Sequence, residues 1–421
     1  MSGVETWDWQ IDKRLVADLD KLKSQFKRVD ELVASNDGER IAAPVQVDAG
    51  VYTAAVNGEP WPEKFELIWY PRFSPNGDLT ALVKIDDEWT LAREGQPWET
   101  RFEYAWNPQF SLDGTSVGLL YKLDNKFGVS INDNTWEEGF VSIRDFALSG
   151  DGKHAAATIQ VQTLKEADIF GFFDGVWSLA VDGKSWDEKY INCWNPVFSS
   201  DGTKVAAEVR TDICEYSVSV NAGIWSEKFA CVWVPAFRPS TQNVVAPIRQ
   251  DGSWTLVENG QRLWERRYNM LWGQKFSPDG NRIAAVASPE FGKWTVAVDD
   301  QPWNRLFGDM VIEPIFSPDS RRVASIVKDD NRWTIAVDGV AWDVDFEMIW
   351  NPVFSADGRH VVAKAEKDGS YFVACDGRTI PKAYDELWDP VFNADGKRVL
   401  LKFVEDGKYY RQVVPTNELV G

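Results

Sequence analysis

Two histidines, four cysteines and a recurring aspartate are the side chains here with the chemistry for metal binding, thiol reactions or acid–base catalysis. His154 and His360 each follow an Asp-Gly pair with one residue between, so they hold equivalent places in a repeat and read as partly exposed strand residues. Cys193, Cys214, Cys231 and Cys375 are scattered and form no CxxC pair. With two histidines they offer no zinc-ligand spacing, no disulfide frame and no cysteine run for an iron–sulfur cluster, and they read as reduced, small apolar residues. A P-loop and a GxGxxG turn opening a helix are missing, and the one GxSxG match, Gly114-Thr115-Ser116-Val117-Gly118, belongs to the repeated Asp-Gly turn and not to a strand-to-helix nucleophile elbow. Two of the aspartates Asp113, Asp201, Asp279, Asp319, Asp357 and Asp395 have the chemistry of a glycosidase acid and nucleophile, but Asp in a turn ordinarily caps its own backbone. The reading is of a chain without catalytic, metal-ligating or cofactor-binding residues, and not an enzyme.

These aspartates belong to an aromatic-Ser-x-Asp-Gly phrase, as in Phe110-Ser111-Leu112-Asp113-Gly114 and Phe354-Ser355-Ala356-Asp357-Gly358. Counting its weaker copies, the last turn residue falls at 38, 77, 114, 152, 202, 241, 280, 320, 358 and 396. That makes ten copies about 39 residues apart, with one spacing of 50 between the fourth and fifth. Within the eighth copy, 322–327 and 333–337 are short apolar runs separated by turn residues, and Asp338-Gly339 is a hairpin signal. A third run carries Trp342 and Phe346, and a fourth, Trp350-Asn351-Pro352-Val353-Phe354, leads into the next turn. Four short strands per unit, rich in β-branched and aromatic residues, predict the blade of a β-propeller and exclude a helical solenoid.

All 22 tryptophans except Trp7 and Trp9 fall in three columns of this repeat. Electron hopping or ligand stacking would use such rings, but recurrence at every blade points to packing between blades. The net charge of −20 repels phosphate backbones and anionic lipid headgroups, which disfavours nucleic acid and favours basic or neutral protein partners. Residues 1–20 hold no apolar core of signal-peptide length and no stretch reaches 18 apolar residues, so the expected location is cytoplasmic, without a membrane span.

The expected architecture is all-β: ten four-stranded repeats over residues 25–414, preceded by an arm or short helix (1–24) and followed by a tail (415–421). The last copy ends before its outer strand, and Phe26 lies eleven residues before Asp37, as Phe102 does before Asp113. Residues 25–30 are therefore expected to complete the last blade and close one ring, with two smaller propellers as the alternative. Residues 6–23 read as an amphipathic helix or an extended arm.

Departures from the repeat are where function is sought. The fourth copy carries an insertion near 161–174 with the apolar cluster Ile169, Phe170, Gly171, Phe172 and Phe173, which either tucks onto the propeller or docks a partner. The same copy has Arg144, and the eighth Ile312, where other copies have tryptophan. Partner-contact candidates are Trp7, Trp9, Arg144, Ile169, Phe170, Phe172 and Phe173.

The Phe-Ser-Pro-Asp-Gly turns make the chain similar to WD40-like propellers of the TolB type. The phrase Trp-x-x-x-Phe-x-x-x-Trp-x-Pro-x-Phe-Ser, at Trp98 to Ser111 and Trp342 to Ser355, also resembles the tryptophan-rich subunit family of the transmembrane tetrahaem cytochrome c (Tmc) complex of sulfate-reducing bacteria. That resemblance implies a cofactor-free cytoplasmic scaffold, peripheral to the inner membrane. Its partners would be an iron–sulfur subunit and a membrane cytochrome b subunit, in a complex passing electrons between periplasmic cytochrome c and the cytoplasm during sulfate respiration. A stand-alone propeller hydrolase or lyase, or a peptide-binding propeller, is the alternative.

Overall fold

A computed structural model of the chain describes residues 3–166 and 168–420. Ten antiparallel sheets, each built on four strands that are consecutive in sequence in all but the last blade, make it a ten-bladed β-propeller of WD40-like blades. The blade is offset by one strand from the sequence unit: its first strand precedes the Asp-Gly turn and the other three follow. Blade five is the pattern, with strands Asn192–Phe198, Val205–Asp212, Glu215–Val220 and Gly223–Ile224.

The turns explain the spacing. In blade eight Asp338 (φ 51°) and Gly339 (φ 84°) both take positive φ, the two-residue turn whose twist matches an antiparallel hairpin. Gly339 has a second reason to lack a side chain, because an added Cβ would sit 3.1 Å from the Trp303 ring. Gly183 over Trp136 repeats the arrangement at 3.2 Å. The tryptophan that follows one hairpin thus lies under the glycine of the next blade's hairpin. Gly339→Ala is expected to cost about 1–2 kcal/mol from backbone strain alone, with the ring contact adding to it, and thermal unfolding checks this.

The chain groups into two compact units, Met1–Asp86, Ala92–Pro97 and Lys275–Gly421 in one, Asp87–Leu91 and Trp98–Gln274 in the other. Each has its core between neighbouring sheets, where apolar faces leave water. In the second unit, Val232, Val244, Ala246 and Ile248 of blade six pack on Ala206 and Val218 of blade five. In the first, Phe354, Val361 and Ala363 of blade nine pack on Ala324 and Ile335 of blade eight.

The strand that completes blade ten is not 25–30. Lys13–Asp18 pairs antiparallel with Lys408–Pro415, from Lys13 opposite Gln412 to Asp18 opposite Lys408. Helix α1 (Leu19–Gln25) follows, capped by Asp18, whose carboxylate accepts the Lys21 N–H. Arg28–Val29 then pairs with Ile41–Asp48 in blade one. Phe26 packs in the same apolar cluster as the buried Tyr409 of blade ten, but as the residue that ends α1 and not as part of a closing strand. The spacing argument failed because Arg28–Val29 is taken up by the edge of blade one, opposite Gln46 and Val45, so the upstream Lys13–Asp18 fills the free edge of blade ten. Within residues 6–23, expected as a helix or an extended arm, Lys13–Asp18 is a strand built into blade ten and α1 begins at Leu19. At the other end, α3 (Thr416–Val420) buries Thr416 and Leu419.

Candidate functional site

The regular positions are committed to the scaffold. In each full copy of the turn the serine hydroxyl donates to the aspartate, as Ser111 to Asp113 (2.6 Å) and Ser355 to Asp357 (2.7 Å). The same carboxylate oxygen accepts a backbone N–H two residues on, from Thr115 and Arg359. The hydroxyls of Ser149 and Ser277, helped by those backbone bonds, hold Asp151 and Asp279 down at about 2. Such aspartates stay ionised and do not donate protons near neutrality. His154 and His360 place Nδ1 2.7 Å from Asp182 and Asp376. Arg282 and Arg322 make the equivalent bonds to Asp299 and Asp338, so the histidines are two variants of a repeated hairpin contact.

The tryptophans of the first-strand column meet a third-strand aromatic across the sheet, stacked in Trp233 on Trp254 (5.4 Å, 9°) and Trp194 on Tyr216 (6.3 Å, 18°), and edge-on in Trp106 on Phe127 (82°) and Trp388 on Tyr409 (90°). Arg144 keeps this geometry, with its guanidinium 3.6 Å from the Trp177 ring centroid, a planar cation replacing an indole. Its Nη2 donates to Asn192 and to the Cys193 carbonyl (2.9 Å), joining blade four to blade five. Trp7 and Trp9 stack on each other (6.1 Å, 20°) and pack against Val391, Leu400 and Val413 of blade ten, so these rings lie on the chain itself.

The insertion behaves differently. Its ends are anchored: Val161 N–H donates to Val176 O, and Val176 is buried. Between them α2 (Ile169–Phe173) is capped by Asp168, whose carboxylate accepts the Gly171 N–H at 2.8 Å. The apolar side chains do not tuck in. Ile169 is 62% exposed, Phe170 85% and Phe173 41%, while Phe172 is half-buried and packs edge-on against Phe173. Ala167 lies outside the described residues.

Buried charge is the feature the sequence reading missed. Glu208, 7% exposed, lies opposite Trp194, where Leu82 and Leu120 lie opposite Trp69 and Trp106. Burial, with Asp145 nearby, pushes its carboxyl up to about 7, although Asn195 Nδ2 donates to Oε1 at 2.8 Å. Asp145 in turn accepts the Asn195 N–H at 3.3 Å. In blades nine and ten the same column holds Lys364, clamped 4.1 Å from the Trp350 ring and 4.2 Å from Tyr371, and Lys402, which burial lowers to about 8. Aligning the ten copies column by column exposes these charges, because every other residue opposite the tryptophan position is uncharged. Chemically, Glu208 is a proton-exchanging group near neutral pH, Lys364 is a cation held against aromatic faces, and Lys402 is a buried amine whose Nζ lies 3.5 Å from the Asn36 carbonyl.

Among the described residues, no group of three or more His, Cys, Asp or Glu is placed to hold a metal ion, and no helix is long and apolar enough to cross a membrane. Neither a family model nor a curated protein matches the chain. Among solved structures it is similar to a eukaryotic initiation factor, with 12% identity and a TM-score of 0.48 over 78% of this chain and 90% of that one. It is also similar to the Cps50 (Swd1) β-propeller domain of Myceliophteria thermophila, with 11% identity and a TM-score of 0.32 over 65% and 99%. The propeller architecture rests on the ten sheets themselves rather than on these likenesses.

Proposed function

We propose that this propeller works by binding, as a cofactor-free scaffold subunit of a membrane-associated electron-transfer complex linking periplasmic cytochrome c to the cytoplasm. The observation that carries the binding reading is α2, which holds three apolar side chains out to solvent from a well-anchored loop on an otherwise regular blade. The redox setting comes from the tryptophan-rich phrase and its resemblance to the Tmc subunit family, with an iron–sulfur subunit and a cytochrome b subunit as partners. The net charge of −20 supports a basic or neutral protein surface as the contact. Replacing Phe170, Phe172 and Phe173 together by alanine is expected to leave the unfolding transition within about 1 kcal/mol of the wild type, because two of the three rings are exposed. The copurifying subunits should be reduced to a minor fraction. Undiminished copurification contradicts α2 as the partner contact, and a chain recovered from membranes without haem- or iron-bearing subunits contradicts the redox setting.

A second reading, a stand-alone hydrolase or lyase, draws on Glu208, whose pKa of about 7 suits general acid–base work. Turnover of a saccharide or peptide that is lost in Glu208→Gln would favour it.

A further inference from the structure

The insertion is not the only apolar tip on its side of the second unit. In blade five the hairpin after Val205–Asp212 exposes Ile213 (54%) and Cys214. In blade four Ser142 at the start of the first strand lies opposite Gln160 at the end of the second, and in blade five Asn192 lies opposite Arg210. Both connections therefore leave their sheets at the end where the first strand begins, and the Arg144 bonds to Asn192 and Cys193 hold the two sheets side by side. Ile169, Phe170, Phe173 and Ile213 consequently share one face. Around them the exposed carboxylates are Glu166, Asp174, Asp212 and Glu215, against the exposed cations Lys165, Lys189 and, in the equivalent place of blade five, Lys228. The nearby Arg210 is engaged with the carbonyls of Asp212 and Ile213.

We propose that these tips form a docking surface for a lysine- and arginine-rich protein segment with an apolar stripe, contributed by a partner subunit. This rests on the binding reading above and adds which surface and what chemistry. The charge selects the occupant. With 65 acidic against 45 basic residues, a second copy of this chain or an anionic membrane would be repelled by the same field that draws in a cationic segment. The apolar side chains supply the contact area and the carboxylates the orientation.

Cys214 is the one exposed cysteine among the described residues, so its alkylation rate reports cover over this surface. The probe is a synthetic helical peptide with one leucine face and one lysine face, and its control has glutamate in place of lysine. The leucine–lysine peptide is expected to slow alkylation of Cys214 by N-ethylmaleimide, with an affinity that falls as salt rises. The double variant Phe170→Ser, Phe173→Ser should weaken that affinity at least tenfold, about 1.4 kcal/mol, and Asp212→Asn with Glu215→Gln should flatten the salt dependence. Equal protection by the glutamate peptide, or unchanged affinity in the phenylalanine variant, overturns the proposal. Haem- and iron–sulfur-bearing subunits retained by the phenylalanine variant would overturn this surface while leaving the redox assignment standing. Peptide binding in a chain that isolates without such subunits would do the reverse.

Discussion

Replacing Arg411 by alanine is expected to remove about 3–5 kcal/mol of stability. Arg411 is fully buried on the third strand of blade ten. Its Nε donates to the Asp37 carbonyl at 2.9 Å and faces Glu39 at the same distance, and its Nη2 donates to the Asp8 carbonyl. One side chain thus ties blade ten to the first Asp-Gly turn and to the N-terminal segment. Truncation leaves those carbonyls without this donor and leaves Glu39 with Arg14 (2.8 Å) as its remaining cation. Tyr409 adds to the same junction by donating to the Gly38 carbonyl at 3.2 Å. Urea unfolding measures the loss, and hydrogen exchange should show faster exchange at Lys13–Asp18, the strand this junction steadies. A loss under about 1 kcal/mol would mean that the buried network is dispensable.

Glu208→Gln is expected to stabilise the protein at pH 8 by an amount on the order of 3 kcal/mol, and to change nothing at pH 4. Burial raises the carboxyl from its ordinary value of 4.5 to about 7 in the folded chain. Between those values the folded state holds a proton that the unfolded state has released. Stability from the neutral carboxyl is therefore complete below about 4.5, falls as pH rises, and is gone above about 7. Glutamine keeps an oxygen for the Asn195 amide and never ionises, so the difference between variant and wild type should open across that window. A difference independent of pH would show that Glu208 ionises freely where it stands.

Much of the fold was legible because the repeat supplies ten readings of one pattern. A misread turn such as 237–241, where Thr241 replaces glycine, is corrected by its neighbours. The end of the chain has no second copy to correct it, and there the prediction placed the closing strand at 25–30 instead of Lys13–Asp18. Spacing reports phase, but it does not report which of two free sheet edges a segment will join. Partner-contact candidates were legible as departures from the pattern, yet their exposure was not. Arg144 and the Trp7–Trp9 pair are engaged within the chain, whereas Phe170 faces water. Glu208 and Lys402 escaped notice because single charges are common in strands, and burial of that column emerges only when two sheets face each other.

The most direct test of the account is to purify the native protein from detergent-solubilised membranes and record its visible absorption and iron content. The account predicts a haem spectrum and iron–sulfur iron, both carried by partner polypeptides in fixed proportion to this chain. A single chain recovered without haem or iron would contradict it.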